Sequence, residues 1–84
     1  MAYAVLLKRS AEKELEALPA APYQRLLKRL LALEKNPRPV GVKKLQGEEG
    51  YRLRVGNYRI LYTIDDTRKQ VDIVSVGHRR QVYR

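Results

Sequence analysis

Residues 51–76 read YRLRVGNYRILYTIDDTRKQVDIVSV and carry the clearest structural signal in the chain. Apolar and polar residues alternate over 51–55 and again over 58–64, and Gly56-Asn57 separates the two runs. Alternation with a period of two is typical of half-buried strands, and a Gly-containing dipeptide between two such runs is typical of a β-hairpin. A third apolar run covers 71–76, after the polar turn DDTRK. The pattern therefore predicts three consecutive antiparallel strands.

The two-residue turn fixes which side chains face each other across the hairpin. With this turn, Arg54 lies opposite Arg59, and Arg52 lies one diagonal step away on the same face. Like charges placed directly opposite each other destabilise a sheet by a few tenths to ~1 kcal/mol. A sequence that accepts this cost indicates a function for the cations. The alternative is an accidental basic face whose charge is relieved by solvent or by Asp72.

The C-terminal tail is expected to begin beside this arginine pair. If the second turn takes the four residues 66–69, three pairs follow: Ile64 with Val71, Tyr62 with Ile73 and Arg59 with Val76. Gly77 then lets the backbone turn. The tail after it reads HRRQVYR over 78–84 and would join the hairpin arginines, so that five cations, the imidazole of His78 and the phenol of Tyr83 converge on one concave surface. A surface that combines cations with an imidazole and a phenol is suited to bind a phosphate group, or to stabilise a phosphodiester in its transition state.

Upstream of the hairpin, the sequence predicts one strand and two helices. The apolar run 3–8, YAVLLK, fits a strand, and Ser10 fits the N-cap of a first helix that runs to about Leu18. Pro22 fits the first residue of a second helix, whose apolar stripe recurs at helical spacing. The stripe comprises Tyr23, Leu26, Leu27, Leu30, Leu31 and Leu33. We expect it to face the core rather than a partner.

The second helix is expected to end at Asn36-Pro37, and 36–50 are expected to form a loop anchored by Leu45. The predicted order of elements is β-α-α-β-β-β. The predicted fold class is therefore α+β, a single domain over 1–84 in which two helices pack on one face of an antiparallel sheet.

The charge balance favours a polyanionic partner. Lys and Arg number 18 against 9 Asp and Glu, which gives a formal net charge of +9, and most of the cations are Arg. A cation-rich surface attracts nucleic acid, and the forked guanidinium suits phosphate groups. The alternative is that the charge only keeps a small protein in solution.

Composition disfavours several other classes of protein. The chain has no Cys and a single His, so neither a disulfide framework nor a metal centre is expected, and we expect no small-molecule cofactor. No apolar run reaches about 18 residues, and the start MAYAVLLKRS lacks the features of a secretion signal. We therefore expect no membrane partner and a cytoplasmic location.

Cleavage of RNA without a metal ion needs three kinds of group. A base takes the 2′-hydroxyl proton, an acid protonates the leaving 5′-oxygen, and cations hold the charge on the phosphoryl group. Arg supplies cations but is a poor base, because guanidinium stays protonated in proteins. Proton transfer would fall to His78 or Tyr83. His78 could equally be an ordinary surface or packing residue, and Tyr83 could instead stack on a base or anchor the tail.

Three segments, in this order, resemble the RelE/ParE toxin superfamily of bacterial and archaeal toxin–antitoxin pairs. They are the opening MAYAVLLKRSAEKELEAL, the middle KKLQG…GYRLRVGNYRILYTID and the ending VDIVSVGHRRQVYR. The RelE branch is the most similar. The resemblance implies a ribosome-dependent endoribonuclease that cuts mRNA in the decoding site, and a cognate antitoxin that binds it tightly and neutralises it.

The resemblance also implies roles for individual residues. Arg52 and Arg54 match strand positions of catalytic basic residues, which are often lysines in the family. Arg59 and Arg79 match phosphate-binding arginines, and Tyr83 matches a tyrosine of the tail. Further RNA contacts are expected from other cations of the loop and tail: Lys43, Lys44, Arg80 and Arg84.

This sequence departs from the family pattern in two ways. Arg stands where Lys would supply a base, and the short tail lacks the C-terminal helix of some relatives. The ParE branch shares the fold but targets DNA gyrase. A non-enzymatic gyrase inhibitor is therefore the second hypothesis, and a non-catalytic RNA-binding module is the third.

Overall fold

The computed structural model describes residues 2–45 and 50–78. Within these ranges the chain forms two helices and five strands; in chain order they are β1 (Ala4–Leu7), α1 (Arg9–Glu16), α2 (Ala20–Ala32), β2 (Lys43–Lys44), β3 (Tyr51–Val55), β4 (Tyr58–Asp65) and β5 (Gln70–His78). The predicted α+β class, with both helices contributing to one core against the sheet, is confirmed. The short strand β2 lies inside the stretch that was expected to be a loop.

The sheet is mixed rather than purely antiparallel. Its strand order is β1-β5-β4-β3-β2. The β3–β4 and β4–β5 pairs are antiparallel as predicted, the unpredicted β2 is antiparallel to β3, and β1 runs parallel to β5. A parallel neighbour needs a long crossover connection, and the helices together with the strands that follow them supply it. Among the described strands, the first in sequence therefore lies beside the last.

The β3–β4 hairpin has the predicted register. Val55 pairs with Tyr58 and Arg54 pairs with Arg59, which leaves a two-residue turn. Gly56 adopts a φ of 61° in this turn. A positive φ at the first central position is what a type II′ turn requires, and glycine adopts it without steric cost.

A β-bulge shifts the register of β5. The irregularity lies between Leu61 and Tyr62 and places one extra residue in β5. Arg59 consequently pairs with Gly77, one residue beyond the predicted Val76. The pairs nearer the second turn are as predicted: Ile64 with Val71 and Tyr62 with Ile73.

Glu14 of α1 bonds the strand at this bulge. Its Oε1 accepts hydrogen bonds from the backbone N–H of Val76 at 2.9 Å and from the hydroxyl of Ser75 at 3.1 Å. A backbone donor near the irregular pairing is thus satisfied by a carboxylate of the helix. The contact fixes α1 against β5.

Both helices begin earlier than predicted. Lys8 holds the N-cap position of α1, so Ser10 is not the N-cap but lies inside the helix, where its hydroxyl donates to the carbonyl of Val74 at 3.2 Å. Pro19 is the N-cap of α2, and Pro22 is the third helical residue instead of the first. The N–H groups of a first turn have no partner within the helix, so proline is tolerated at this position too.

The hydrophobic core lies between the helices and the sheet. The predicted leucine stripe supplies Leu26, Leu30 and Leu33, each at most 2% exposed. Leu31 was placed in the same stripe but is 54% exposed, because a residue adjacent to Leu30 points to another side of the helix. The remaining core residues are Ala11 and Leu15 of α1 and Leu53, Val55, Ile60, Tyr62, Val71, Ile73 and Val76 of the sheet.

A polar clamp holds the loop after α2 against the sheet. The guanidinium of Arg38 forms a bidentate ion pair with Asp66 in the β4–β5 turn, with Nη2 2.9 Å from Oδ2 and Nη1 3.2 Å from Oδ1. The hydroxyl of Tyr3 donates to the same Asp66 at 2.6 Å, and Arg38 Nε donates to the hydroxyl of Tyr51 at 3.3 Å. Hydrogen bonds from Arg38 and Tyr3 lower the pKa of Asp66 from 3.8 to about 2. We name these four residues the Arg38 clamp.

Two further contacts fix the ends of the loop. The buried hydroxyl of Tyr62 donates to the carbonyl of Pro37 at 2.8 Å, and burial raises the pKa of Tyr62 to about 12. The N–H of Leu45, the predicted anchor, donates to the carbonyl of Gly50 at 2.9 Å. The segment between them is thereby placed so that β2 meets the edge of β3.

Candidate functional site

Alternation along β3 divides its side chains between the two faces of the sheet. Leu53 and Val55 lie in the core with at most 6% exposure. Arg52 and Arg54 therefore point to the face away from the helices. Arg59 lies directly opposite Arg54 and shares that face. The hairpin thus gathers three arginines on one side of the sheet.

Strand β2 adds a lysine to the same face. Lys43 pairs with Arg52, whereas Lys44 pairs with Tyr51. Cross-strand partners share a face, so Lys43 lies with the arginines and Lys44 lies on the other side. We name the resulting set the basic face; it comprises Lys43, Arg52, Arg54 and Arg59. The sequence had singled out both lysines but could not separate them, because a two-residue strand has no periodicity to read.

The cations of the basic face differ in their access to solvent. Arg54 is exposed, Arg52 is half-buried and Arg59 is only 2% exposed. A guanidinium stays protonated in proteins, so Arg59 carries its positive charge where little water reaches. Attraction to an anion is screened less at such a position than at the open surface. The basic face therefore combines one buried charge with others that solvent reaches.

The structure does not bring His78 to the basic face. His78 pairs with Tyr58, and the two rings meet edge to face with centroids 5.5 Å apart. Tyr58 precedes Arg59 on β4, so its side chain and the imidazole lie on the helix side of the sheet. The bulge explains the difference from the prediction, since a shift of one residue in register moves a side chain to the opposite face.

The imidazole lines a cavity at the end of α1. The cavity has a volume of about 410 Å³ and is lined by Glu14, Ala17, Leu18, Tyr58, Val76, Gly77 and His78. Its polar groups are Glu14, Tyr58 and His78, and Glu14 already accepts two hydrogen bonds from β5. Among the residues that the structure describes, His78 therefore lines this cavity together with Glu14 and Tyr58.

Four of the predicted site residues lie outside the residues that the structure describes. They are Arg79, Arg80, Tyr83 and Arg84. Within 2–45 and 50–78, no group of three or more His, Asp or Glu side chains is arranged to hold a metal ion. In the same ranges, no helix is long and apolar enough to cross a membrane.

The basic face can hold an anion but cannot accept a proton. All four of its side chains are cationic, and forked guanidinium groups bind phosphate oxygens through paired, charge-assisted hydrogen bonds. Protonated Arg and Lys have no acceptor atom, so a base for the chemistry must come from outside this set. The arrangement therefore suits charge stabilisation on a phosphodiester.

Separate comparisons of this chain with known proteins indicate the same family. Residues 5–83 match the family described as the ParE toxin of the type II toxin–antitoxin system parDE. Toxin RelG of Mycobacterium tuberculosis is 34% identical over 87 residues, an alignment that covers 100% of this chain and 99% of that protein.

Solved structures show the same likeness. A chain of the archaeal RelE–RelB complex from Pyrococcus horikoshii has a TM-score of 0.84 and 34% identity, over 94% of this chain and 97% of that one. A chain of the toxin–antitoxin complex RelBE2 from Mycobacterium tuberculosis also has a TM-score of 0.84, with 30% identity over 94% of this chain and 100% of that one.

Proposed function

The chain belongs to the RelE/ParE superfamily of type II toxin–antitoxin toxins, and from this we propose that it is an endoribonuclease that cleaves mRNA on the ribosome. The basic face is the observation that carries the proposal. When a 2′-hydroxyl attacks the neighbouring phosphodiester, negative charge accumulates on the phosphoryl oxygens in the transition state. Four cations on one face of a rigid sheet would offset that charge without needing a metal ion.

The arginines of the hairpin are assigned different tasks. Arg59 is buried and lies between the neighbouring strands, so in the proposed complex its charge, which solvent screens little, would attract the phosphate. Arg52 and Arg54 are accessible to solvent, so they are suited to donate hydrogen bonds to the phosphoryl oxygens as negative charge builds up there in the transition state. Lys43, opposite Arg52, would hold the RNA backbone next to the cut.

Proton transfer is assigned to the C-terminal tail. Tyr83 is the proposed general base or acid, because cations nearby would lower the pKa of its phenol. Arg79 is proposed as a further phosphate ligand, and Arg80 and Arg84 as RNA contacts. His78 would have to act from the other side of the sheet, so we assign it a packing role with Tyr58.

A cognate antitoxin is the proposed protein partner. The relatives from Pyrococcus horikoshii and Mycobacterium tuberculosis were solved as toxin–antitoxin complexes. An antitoxin segment with acidic residues would neutralise part of the net charge of +9 by covering the basic face. Co-expression with the product of the adjacent gene tests this, with a stable complex as the expected result and a separate, fully active toxin as the contrary one.

Mapping of transcript 5′ ends after brief induction tests the nuclease. We expect new 5′ ends at fixed positions within codons of translated regions, and none in untranslated RNA. The double variant Arg52→Gln and Arg54→Gln should lose these ends. The matched control is the double variant Arg68→Gln and Lys35→Gln, which removes two exposed cations that lie away from the β3–β4 hairpin. This control should still produce the new 5′ ends. Growth arrest by the wild type without any new 5′ ends would overturn the proposal.

Inhibition of DNA gyrase is the second candidate function. It is favoured by the match of 5–83 to the family described as a ParE toxin. Plasmid topology after induction separates the two candidates, because a gyrase inhibitor changes supercoiling before translation falls. Binding to RNA with a steep salt dependence, but with neither cleavage nor arrest, would instead indicate an RNA-binding module.

A further inference from the structure

The two edges of the sheet differ in how they are protected from pairing with another chain. The strand order places β2 at one edge and β1 at the other. Strand β2 has only two residues, Lys43 and Lys44, and both are exposed. Short edge strands that carry lysine are a common way for proteins to prevent such pairing. Strand β1 reads AVLL over Ala4–Leu7 and has no charged residue, so its edge lacks this protection.

Part of the β1 backbone points away from the sheet. The N–H groups of Ala4 and Lys8 donate towards β5, each at 2.9 Å. Successive residues of a strand direct their backbone groups to opposite sides, so those of Val5 and Leu7 point outward. Within 2–45 and 50–78, no other residue forms a hydrogen bond with these outward groups. They are therefore available to a further strand.

This available stretch of β1 is bounded at both ends. The N–H of Tyr3 donates to the carbonyl of Glu34 at 2.7 Å, so the segment that follows α2 covers the start of the strand. At the other end, α1 begins at Arg9. Residues 4–8 lie between these limits, and the side chain of Leu6 among them is 50% exposed. We name residues 4–8 the open edge.

We propose that the open edge pairs with the open edge of a second copy of this chain, in an antiparallel dimer with two-fold symmetry. The inference goes beyond the proposed function and does not depend on it. Hydrogen-bonded pairs form between residues whose backbone groups point outward, so Val5 of each copy pairs with Leu7 of the other. Leu6 then lies opposite Leu6 of the second copy, at the two-fold axis.

The residues of the open edge suit pairing with themselves. Lys8 is the only charged residue among them, and the two-fold register places it opposite Ala4, so no like charges face each other. One position further out, Arg9 would lie opposite Tyr3, beside the segment that carries Glu34. Opposite charges are thereby brought to the same end of the interface. Two copies of β2 joined in the same way would instead place lysine opposite lysine.

A second copy fits this edge better than RNA or an acidic protein segment does. Ala4–Leu7 offers no cation to an anionic partner, whereas Leu6 gains free energy when water is excluded from it. The cations of the basic face lie on β2, β3 and β4, away from this edge. A two-fold axis perpendicular to the joint sheet keeps both basic faces on one side of it, at its outer ends. The dimer therefore leaves both basic faces uncovered.

Sedimentation of the full chain, free of antitoxin, tests for the dimer across a range of protein concentrations. Two short strands bury less area than a stable interface needs, so we expect a weak dimer with a dissociation constant on the order of 100 μM. Amide hydrogen exchange locates the contact. Exchange at Val5 and Leu7 should slow as the protein concentration rises, because their N–H groups become hydrogen-bonded only in the dimer.

A lysine at the two-fold axis should prevent pairing. Leu6→Lys places two like charges opposite each other and removes an apolar contact, so the dissociation constant should rise at least about tenfold. The matched control is Val40→Lys, which adds the same charge at a residue that is 97% exposed in the loop before β2. This control should leave the dissociation constant nearly unchanged. Thermal unfolding checks that both variants are folded.

A cysteine at the same position tests the register. The chain has no Cys, so Leu6→Cys introduces a single thiol. In the proposed register the two Cα atoms lie about 4.5 Å apart, within the range of about 4.4–6.8 Å that a disulfide bridges. Mild oxidation should therefore yield a covalent dimer. Val40→Cys, which is more exposed than Leu6, should yield much less, since only random collisions would bring two copies of it together.

Three results would overturn the inference. One is a wild-type chain that stays monomeric up to about 1 mM, which is well above the expected dissociation constant. Another is a dimer that Leu6→Lys and Val40→Lys weaken equally, or in which Val5 and Leu7 exchange as fast as in the monomer. The third is a monomeric toxin whose affinity for the antitoxin falls in Leu6→Lys, which would assign the open edge to the antitoxin.

Discussion

Arg54 and Arg59 lie directly opposite each other on neighbouring strands, yet Arg54 is exposed and Arg59 is only 2% exposed. The two charges are close because the turn between them has two residues and permits no other register. A sheet selected for stability alone would avoid a like-charged pair at this position. The pair therefore predicts opposite effects on stability and on activity.

Replacing Arg54 with Gln should stabilise the fold and weaken the toxin. Removal of the repulsion is expected to raise the free energy of unfolding by a few tenths to ~1 kcal/mol. Cleavage on the ribosome should fall at least about tenfold, because a charge-assisted contact to the transition state is lost. Urea denaturation and a cleavage assay measure the two effects.

Arg68→Gln is the control for this substitution. Arg68 is exposed in the β4–β5 turn, at the other end of β4, and its loss should leave both quantities nearly unchanged. If Arg54→Gln lowers stability, Arg54 supports the fold and the argument from repulsion is wrong.

The Arg38 clamp should make stability depend on pH in the acid range. Asp66 has its pKa lowered to about 2, so its ionised form is favoured by folding. This contribution is fully present above the ordinary pKa of 3.8 and is lost as the pH falls towards 2. The gap in Tm between the wild type and Asp66→Asn should be constant from pH 7 to 5 and should close between pH 4 and 2. A gap independent of pH would contradict the assignment.

The buried hydroxyl of Tyr62 should contribute measurably to stability. Tyr62→Phe leaves the carbonyl of Pro37, which is also buried, without its donor at 2.8 Å. An unsatisfied buried acceptor costs about 1–3 kcal/mol, which chemical denaturation detects. Tyr23→Phe is the matched control, since Tyr23 is only partly buried against the core; equal losses from the two variants would show that the hydrogen bond is unimportant.

Glu14 should be more important for stability than its exposure suggests. Glu14→Ala removes the acceptor for the N–H of Val76 and for the hydroxyl of Ser75, so we expect a loss of about 1–2 kcal/mol in the free energy of unfolding. Glu16→Ala, two residues along the same helix, should cost less than about 0.5 kcal/mol. Similar values for both would mean that the bulge does not need the carboxylate.

The hairpin was predictable from sequence because its determinants are local. Alternation over 51–64 and a two-residue turn are enough to pair Arg54 with Arg59. The leucine stripe was predictable for the same reason, since helical spacing alone selects Leu26 and Leu30.

The rest of the site depends on contacts between distant parts of the chain. Beside the bulge in β5, the N–H of Val76 donates to Glu14, a residue some sixty positions earlier in the sequence. No sequence pattern within 70–78 predicts the bulge. That one inserted residue decides which face His78 occupies. Lys43 follows a loop that the Arg38 clamp and Tyr62 hold against the sheet, and the hydrophobic pattern of the sequence predicts neither contact.

The parallel pairing of the first and last strands has a consequence for synthesis. Ala4 pairs with Gln70, so β1 has no partner in the sheet until β5 has been translated. Synthesis proceeds from the N-terminus, and contacts of high sequence separation form late in folding. A nascent chain whose β5 is still inside the ribosome therefore has an incomplete sheet, because β1 has no neighbouring strand to pair with.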